Sequence, residues 1–224
     1  MQAPRGALFT FATMAYSRYP IIARQGWLPI GVALMVAALI WYFLGLVWAL
    51  PLLALAALIA WLFRDPYRQI PSTPLGVVSP ADGVVASVDP VHDPFLKRDA
   101  IRIVLAMRGG DVYTTRSPVE GKVMDMLQAG EDNGGAHGVW IKTDEDDDIV
   151  IVMGRGRLGN VPRCFVQCGE RVGQGQRCGF INFGSRLEVY LPVNSRIDIK
   201  PGSRIQAGAD RLGVLVHKTD RAIS

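Results

Sequence analysis

A chain of 224 residues has room for one domain and an appendage, and a net charge of +4 without a basic stripe interleaved with aromatics argues against nucleic acid as a partner. Cys164, Cys168 and Cys178 are odd in number and lack paired CxxC spacing, which argues against a disulfide framework or a zinc site and fits a reducing compartment. Half of the residues are hydrophobic, but they are unevenly spread.

Residues 1–24 form a basic segment carrying Arg5, Arg18 and Arg24 and no acid. From Gln25 to Phe63 no side chain is charged. As one helix that run would be about 58 Å long, roughly twice the hydrocarbon core of a bilayer. Two passes, about Leu28–Phe43 and Leu46–Phe63, fit better, with a turn near Gly45 that Pro51 could shift. Trp27, Trp41, Trp48 and Trp61 sit near the ends of these passes, as interfacial aromatics do. Arg24 precedes the run and Arg64 and Arg68 follow it, so both ends are expected on the cytoplasmic side of the cell membrane. The reading is a membrane hairpin over 25–63; the competing one is a buried helical hairpin in a soluble protein. A signal peptide fits poorly, because the apolar run starts late and is too long.

Residues 64–74, RDPYRQIPSTP, read as a proline-rich linker. From Leu75 to Ser224 the pattern is of short strands punctuated by glycine, with no long amphipathic helix. The expected fold is mainly β, a sandwiched-barrel-like domain, with the helical hairpin before it. It contains an internal repeat: SPADGVVASV at 79–88 and SPVEGKVMDM at 117–126 share S-P-x-acid-G-x-V, 38 residues apart. A glycine-rich segment, GERVGQGQRCGFI at 169–181, supplies a further turn. The acidic run 144–148 reads as a solvated hairpin loop. Arg155, Arg157 and Arg163 surround a Gly-Arg-Gly and an Asn-Val-Pro; a solvated loop is the default there, a phosphate or an anionic membrane the alternative.

The stretch 179–192, GFINFGSRLEVYLP, alternates as a half-buried strand: Ile181, Phe183, Leu187, Val189 and Leu191 share one parity. Ser185 falls on that apolar parity, a costly place for an unpartnered hydroxyl, and Gly184 loosens the backbone before it. A small residue followed by a nucleophile is what an internal acyl shift needs. A β-bulge whose serine bonds the backbone accounts for the same pair.

FGSR, followed two residues on by VYLP, resembles the processing site of the short-form phosphatidylserine decarboxylases, and the Arg-Asp-Pro stretch after the hydrophobic run and the SPADG motif extend the resemblance over most of the chain. It implies self-cleavage between Gly184 and Ser185, giving fragments 1–184 and 185–224 that stay together. Ser185 would become a covalent pyruvoyl group, the cofactor, with no metal. The implied activity is decarboxylation of phosphatidylserine to phosphatidylethanolamine, with a phospholipid substrate met at the membrane; a homo-oligomer is left open. Asp82 matches the family's catalytic aspartate. The departure is Tyr113, in DVYTTRSP, where the family carries a histidine base. A tyrosine of pKa near 10 is a poor base at neutral pH. Three accounts stay open: Tyr113 is ionised by a cation such as Arg116, another histidine such as His137 substitutes, or the chain is a catalytically degenerate, membrane-tethered β-barrel module. His92 and His217 read as structural. A carrier or sugar-phosphotransferase-like domain is a weaker alternative, since neither a tip lysine in the required pattern nor a pair of histidines is evident.

Overall fold

The computed structural model describes residues 22–71, 73–128, 137–157 and 159–216; most of the basic segment 1–24, with Arg5 and Arg18, and His217 lie outside the described residues. Helix α1 runs Arg24–Leu44 and α2 Leu46–Leu62. The chain reverses at Gly45, whose φ of 94° favours glycine. Pro51 lies inside α2 and does not move the turn. Ala33 and Ala37 of α1, and Ala49 and Ala56 of α2, are buried, small residues that let two helices approach closely. Leu28, Trp41, Tyr42, Trp48 and Trp61 face outward. α1 is long and apolar enough to cross a membrane, with mean hydropathy 2.1, and only 11% of that span is buried, unlike the core helix of a soluble domain. The shorter α2 extends about 25 Å.

Fourteen strands follow among the described residues: β1 (Gly76–Val78), β2 (Gly83–Asp93), β3 (Arg98–Ala106), β4 (Thr114–Arg116), β5 (Gly121–Gln128), β6 (His137–Lys142), β7 (Asp148–Met153), β8 (Arg163–Cys164), β9 (Arg171–Val172), β10 (Arg177–Phe180), β11 (Arg186–Pro192), β12 (Arg196–Ile197), β13 (Arg204–Ile205) and β14 (Arg211–Val214). Eight of them form a curled half-barrel in the order β13-β2-β3-β11-β7-β6-β5-β9. Two three-stranded sheets, β1-β14-β12 and β4-β10-β8, complete this mainly β fold. Alternation aims Leu187, Val189 and Leu191 of β11 into the core with Ile103, Leu105, Ile141, Ile151 and Met153. Tyr190 faces the other way and packs with Ala100, Val150 and Val152 in a smaller outer cluster.

The internal repeat is a structural one. Ser79 Oγ donates to the Ala81 carbonyl at 2.7 Å, and Ser117 Oγ to Val119 at 2.6 Å. A Cβ on Gly83 would meet the Ala106 carbonyl, and one on Gly121 the Lys142 carbonyl, so both strands begin where a neighbouring backbone leaves no room. The two units also cross-bond: Val78 N–H reaches the Pro118 carbonyl at 2.9 Å, and Arg116 N–H the Pro80 carbonyl at 2.8 Å. Each has its own glycine-rich companion, with Gly169, Arg171 and Gly175 in one and Gly202, Arg204 and Gly208 in the other. These companions place β9 on β5 and β13 on β2.

Two features differ from the sequence reading. The stretch 179–192 is not one strand: β10 ends at Phe180, residues 181–185 turn, and β11 starts at Arg186. Phe183 (φ 60°) and Gly184 (φ 65°) are left-handed, a conformation no strand holds. The proline-rich stem, for its part, is strapped to the domain. Buried Asp65 pairs with Arg116 at 2.9 Å and Arg177 at 2.7 Å, while Arg68 pairs with Asp82 at 2.9 Å.

Candidate active site

The backbone is held on both sides of Ser185. Met107 N–H donates to the Ser185 carbonyl at 2.8 Å, and Arg157 N–H to the Gly184 carbonyl at 3.2 Å. A Cβ on Gly184 would stand 3.0 Å from the Arg108 carbonyl oxygen, in a backbone region L side chains rarely adopt. Phe183 adopts that region with a side chain, at a cost of order 1–3 kcal/mol that its surroundings must offset. Those surroundings are aromatic: the Phe183 ring lies 5.9 Å from that of Tyr113, which meets Phe63 edge-on at 6.2 Å and Phe180 at 6.1 Å. Phe63 closes α2, so the base of the helical hairpin sits directly on the turn that carries Ser185. Arg64 secures the junction with a 3.1 Å bond to the Gly110 carbonyl and a guanidinium 4.5 Å above the Trp61 ring.

Ser185 is half-buried, and among the described residues its Oγ makes no hydrogen bond. A Cβ on Gly154 would be 3.3 Å from that Oγ, so the glycine keeps open the space beside it. Neither of the other two expected residues touches it. Asp82 accepts from Ala207 N–H at 2.7 Å and from Arg68 at 2.9 Å. Asp82 immediately precedes β2 and Ser185 immediately precedes β11, and these two strands flank β3, two strand spacings or about 10 Å apart. Tyr113 is buried and donates its hydroxyl to the Gly109 carbonyl. Burial raises its pKa, outweighing the opposing pull of Arg157 and Arg64. Arg116, suggested above as the ionising cation, is instead committed to Asp65 and the Gly175 carbonyl. The buried Tyr113 ring packs against Phe183 of the turn. His137 opens β6 in register with Met153, itself opposite Leu187 of β11, two strands from the turn. It lines a separate cavity of about 240 Å³ with Pro162 and Cys164. His92 lies in β2 and is 3.4 Å from Asp99, both exposed.

The family described as phosphatidylserine decarboxylase matches residues 55–213, which spans the stem, both repeat units and the Gly184–Ser185 turn. The chain belongs to the phosphatidylserine decarboxylase family. A phosphatidylserine decarboxylase proenzyme of Nitrosomonas eutropha is 39% identical over 204 residues, covering 86% of this chain and 94% of that one. Those of Aromatoleum aromaticum and Burkholderia vietnamiensis are each 36% identical, over 88% of this chain and 97% of theirs. Among solved structures, glucose permease IIA from Mycoplasma capricolum aligns at a TM-score of 0.43 and 19% identity, over 62% of this chain and 94% of that one, too distant a likeness to argue from.

For this decarboxylase-family chain, sequence reasoning missed what holds the turn. The Gly154-Arg155-Gly156-Arg157 segment, read as a basic loop, lies along the turn with its backbone: Gly154 N–H bonds the Arg186 carbonyl at 2.9 Å. The alternation of glycine with arginine was the available signal, since close backbone approach requires residues without a Cβ. The packing role of Tyr113 also makes a pH prediction. Burial raises its pKa above that of a free phenol, so no phenolate-driven rise in processing rate is expected between pH 7 and 9. Tyr113→Phe, which keeps the ring stack and removes the hydroxyl, is expected to alter the cutting half-time less than threefold, read by denaturing gel. A tenfold loss would assign the phenol a chemical part.

Proposed function

We propose that this chain cuts itself between Gly184 and Ser185, converts Ser185 to a pyruvoyl group, and decarboxylates phosphatidylserine to phosphatidylethanolamine at a membrane surface. One observation carries the reading: the Gly184–Ser185 segment is a strained, twice-anchored turn, whose serine hydroxyl bonds no described residue, seated against the base of an apolar hairpin. That the family relatives are named proenzymes supports the processing step. The turn fits the group: the open space beside Gly154 leaves room for a planar carbonyl in place of the Ser185 side chain.

In the proposed cut, Ser185 Oγ adds to the Gly184 carbonyl carbon and the C–N bond then breaks, turning the peptide into an ester with a free Ser185 amine. Elimination across Ser185 Cα–Cβ expels the Gly184 carboxylate, and water replaces the nitrogen, which leaves as ammonia. Leaving the left-handed turn releases strain held at Phe183. Once formed, the pyruvoyl group supplies an electron sink for the pair left as CO₂ departs. Exposed Arg155 beside the turn presents a cation to an anionic head group. The hairpin base keeps the turn at the depth where head groups lie.

A second reading, a degenerate family member that neither cuts nor decarboxylates, draws on the lack of any base on Ser185 Oγ among the described residues. The test is CO₂ release from vesicles of phosphatidylserine against vesicles of phosphatidylglycerol, with purified full-length protein. Release from the first alone is expected; a cut protein that releases none from either refutes the activity.

The proposed orientation places the hairpin turn away from the cytoplasm and the β domain within it. In intact cells a membrane-impermeant thiol reagent is expected to reach Gly45→Cys and to spare exposed Cys168. Labelling of Cys168 with Gly45→Cys protected reverses the topology.

A further inference from the structure

We infer that the backbone N–H of Arg157 is the oxyanion donor for self-cleavage, acting on the Gly184 carbonyl oxygen. The inference rests on the self-processing reading above and assigns a part that neither Asp82 nor Tyr113 can play from where they stand. The donor lies 3.2 Å from the oxygen it would serve. When Ser185 Oγ adds to the Gly184 carbonyl carbon, the C–O bond forms, the hydroxyl proton leaves to water, and the carbonyl π pair moves onto that same oxygen. Collapse of the oxyanion breaks the bond to the Ser185 nitrogen, which takes up a proton. The accepting atom is the same before and during the step, so the donor needs no rearrangement. A hydrogen bond to a charged oxygen is roughly twice as strong as one to a neutral oxygen, so the contact stabilises the transition state more than the resting chain.

The fold fixes this donor through the glycines before it. Gly156 N–H bonds the Asn160 carbonyl at 2.9 Å, and Gly159 N–H returns to the Gly156 carbonyl at 2.8 Å, closing a tight loop. A Cβ on Gly156 would stand 2.2 Å from the Asn182 carbonyl oxygen, so only glycine lets the segment lie this close to the turn. The Arg157 side chain points back, its Nη2 3.4 Å from the Met107 carbonyl. Met107 N–H in turn holds the Ser185 carbonyl at 2.8 Å. The two carbonyls flanking the Ser185 nitrogen and Cα thus take their N–H donors from different segments, one after β3 and one after β7, which anchors the backbone on either side of Ser185 as Oγ attacks.

Cutting is timed on full-length chains synthesised into vesicles, with wild type, Arg157→Ala, Arg157→Pro and a chain carrying an α-hydroxy acid at 157. The alanine variant keeps the N–H and is expected to cut within about threefold of wild type. Proline and the hydroxy acid both lack it and are expected to cut roughly 10²-fold more slowly or worse. Hydroxylamine, which cleaves an accumulated ester, should give no 184/185 cut in either chain, because the block precedes that ester; in the hydroxy-acid chain it opens only the backbone ester at 156–157. The hydroxy acid changes one atom, so it decides the matter if the proline chain does not fold. A hydroxy-acid chain that cuts as fast as Arg157→Ala removes this proposal and leaves self-processing standing. Wild type that never cuts takes both down.

Discussion

Ser185→Ala is expected to leave a single chain of 224 residues where wild type separates into 184 and 40. No neighbouring nucleophile can take over. Within the turn from Ile181 to Ser185 no other side chain carries a hydroxyl or thiol, and the three cysteines lie elsewhere, in or near β8, β9 and β10. Loss of cutting should therefore be complete rather than partial, and CO₂ release should vanish with it, because the residue supplies both the nucleophile and the atoms of the cofactor. The substitution removes a half-buried hydroxyl that makes no hydrogen bond among the described residues, so the fold should lose little stability. Ser185→Cys separates chemistry from shape: a thiol attacks the same carbonyl, and a thioester cleaved by hydroxylamine should form. An Ser185→Ala chain that still yields the 40-residue fragment would move the cut to another bond.

The largest stability effect is expected at Asp65. Its carboxylate is buried with the guanidinium groups of Arg116 and Arg177, at 2.9 and 2.7 Å, and ties the foot of the hairpin to both β4 and β10. Asp65→Ala leaves two cations without their counter-charge in a water-poor site, a loss of about 3–5 kcal/mol. For a domain of this size that lowers the melting temperature by on the order of 10 °C. The uncut Ser185→Ala background is the one to measure, since cutting then does not blur the transition. Arg171→Ala is the control. Its partners Glu120 and Asp144 are exposed, and removing such a pair typically costs less than about 1 kcal/mol. Equal shifts in the two variants would mean that the stem is not the strap the geometry describes.

The parts of this fold that were legible in the sequence are those written in one stretch. An uncharged run of 39 residues admits few structures, and Gly45 marks its turn. The S-P-x-acid-G repeat announced two equivalent units because serine turns and crowded glycines are local requirements. Their glycine-rich companions at 169 and 202 went unpaired, since they share only Gly, Arg and a β-branched residue. Alternation misled at 181–185: side-chain parity carries no information about φ, and the hydrophobic pattern runs on through a turn that breaks the strand. The surroundings of Tyr113 were illegible for a different reason. Val-Tyr-Thr-Thr reads alike whether its ring fills an aromatic cluster or serves a reaction, and the cluster is assembled from Phe63, Phe180 and Phe183, far away in sequence. Asp65 likewise finds its partners 51 and 112 residues downstream.

The central claim is that Ser185 becomes a pyruvoyl group, and the mass of the C-terminal fragment tests it most directly. Wild-type protein, purified in detergent and denatured, should give a fragment of residues 185–224 lighter by one ammonia than the same peptide with a free N-terminal serine, and closed to stepwise N-terminal sequencing. A fragment of the full serine mass would mean cleavage by hydrolysis alone, and an intact 224-residue chain after prolonged incubation would contradict the account altogether.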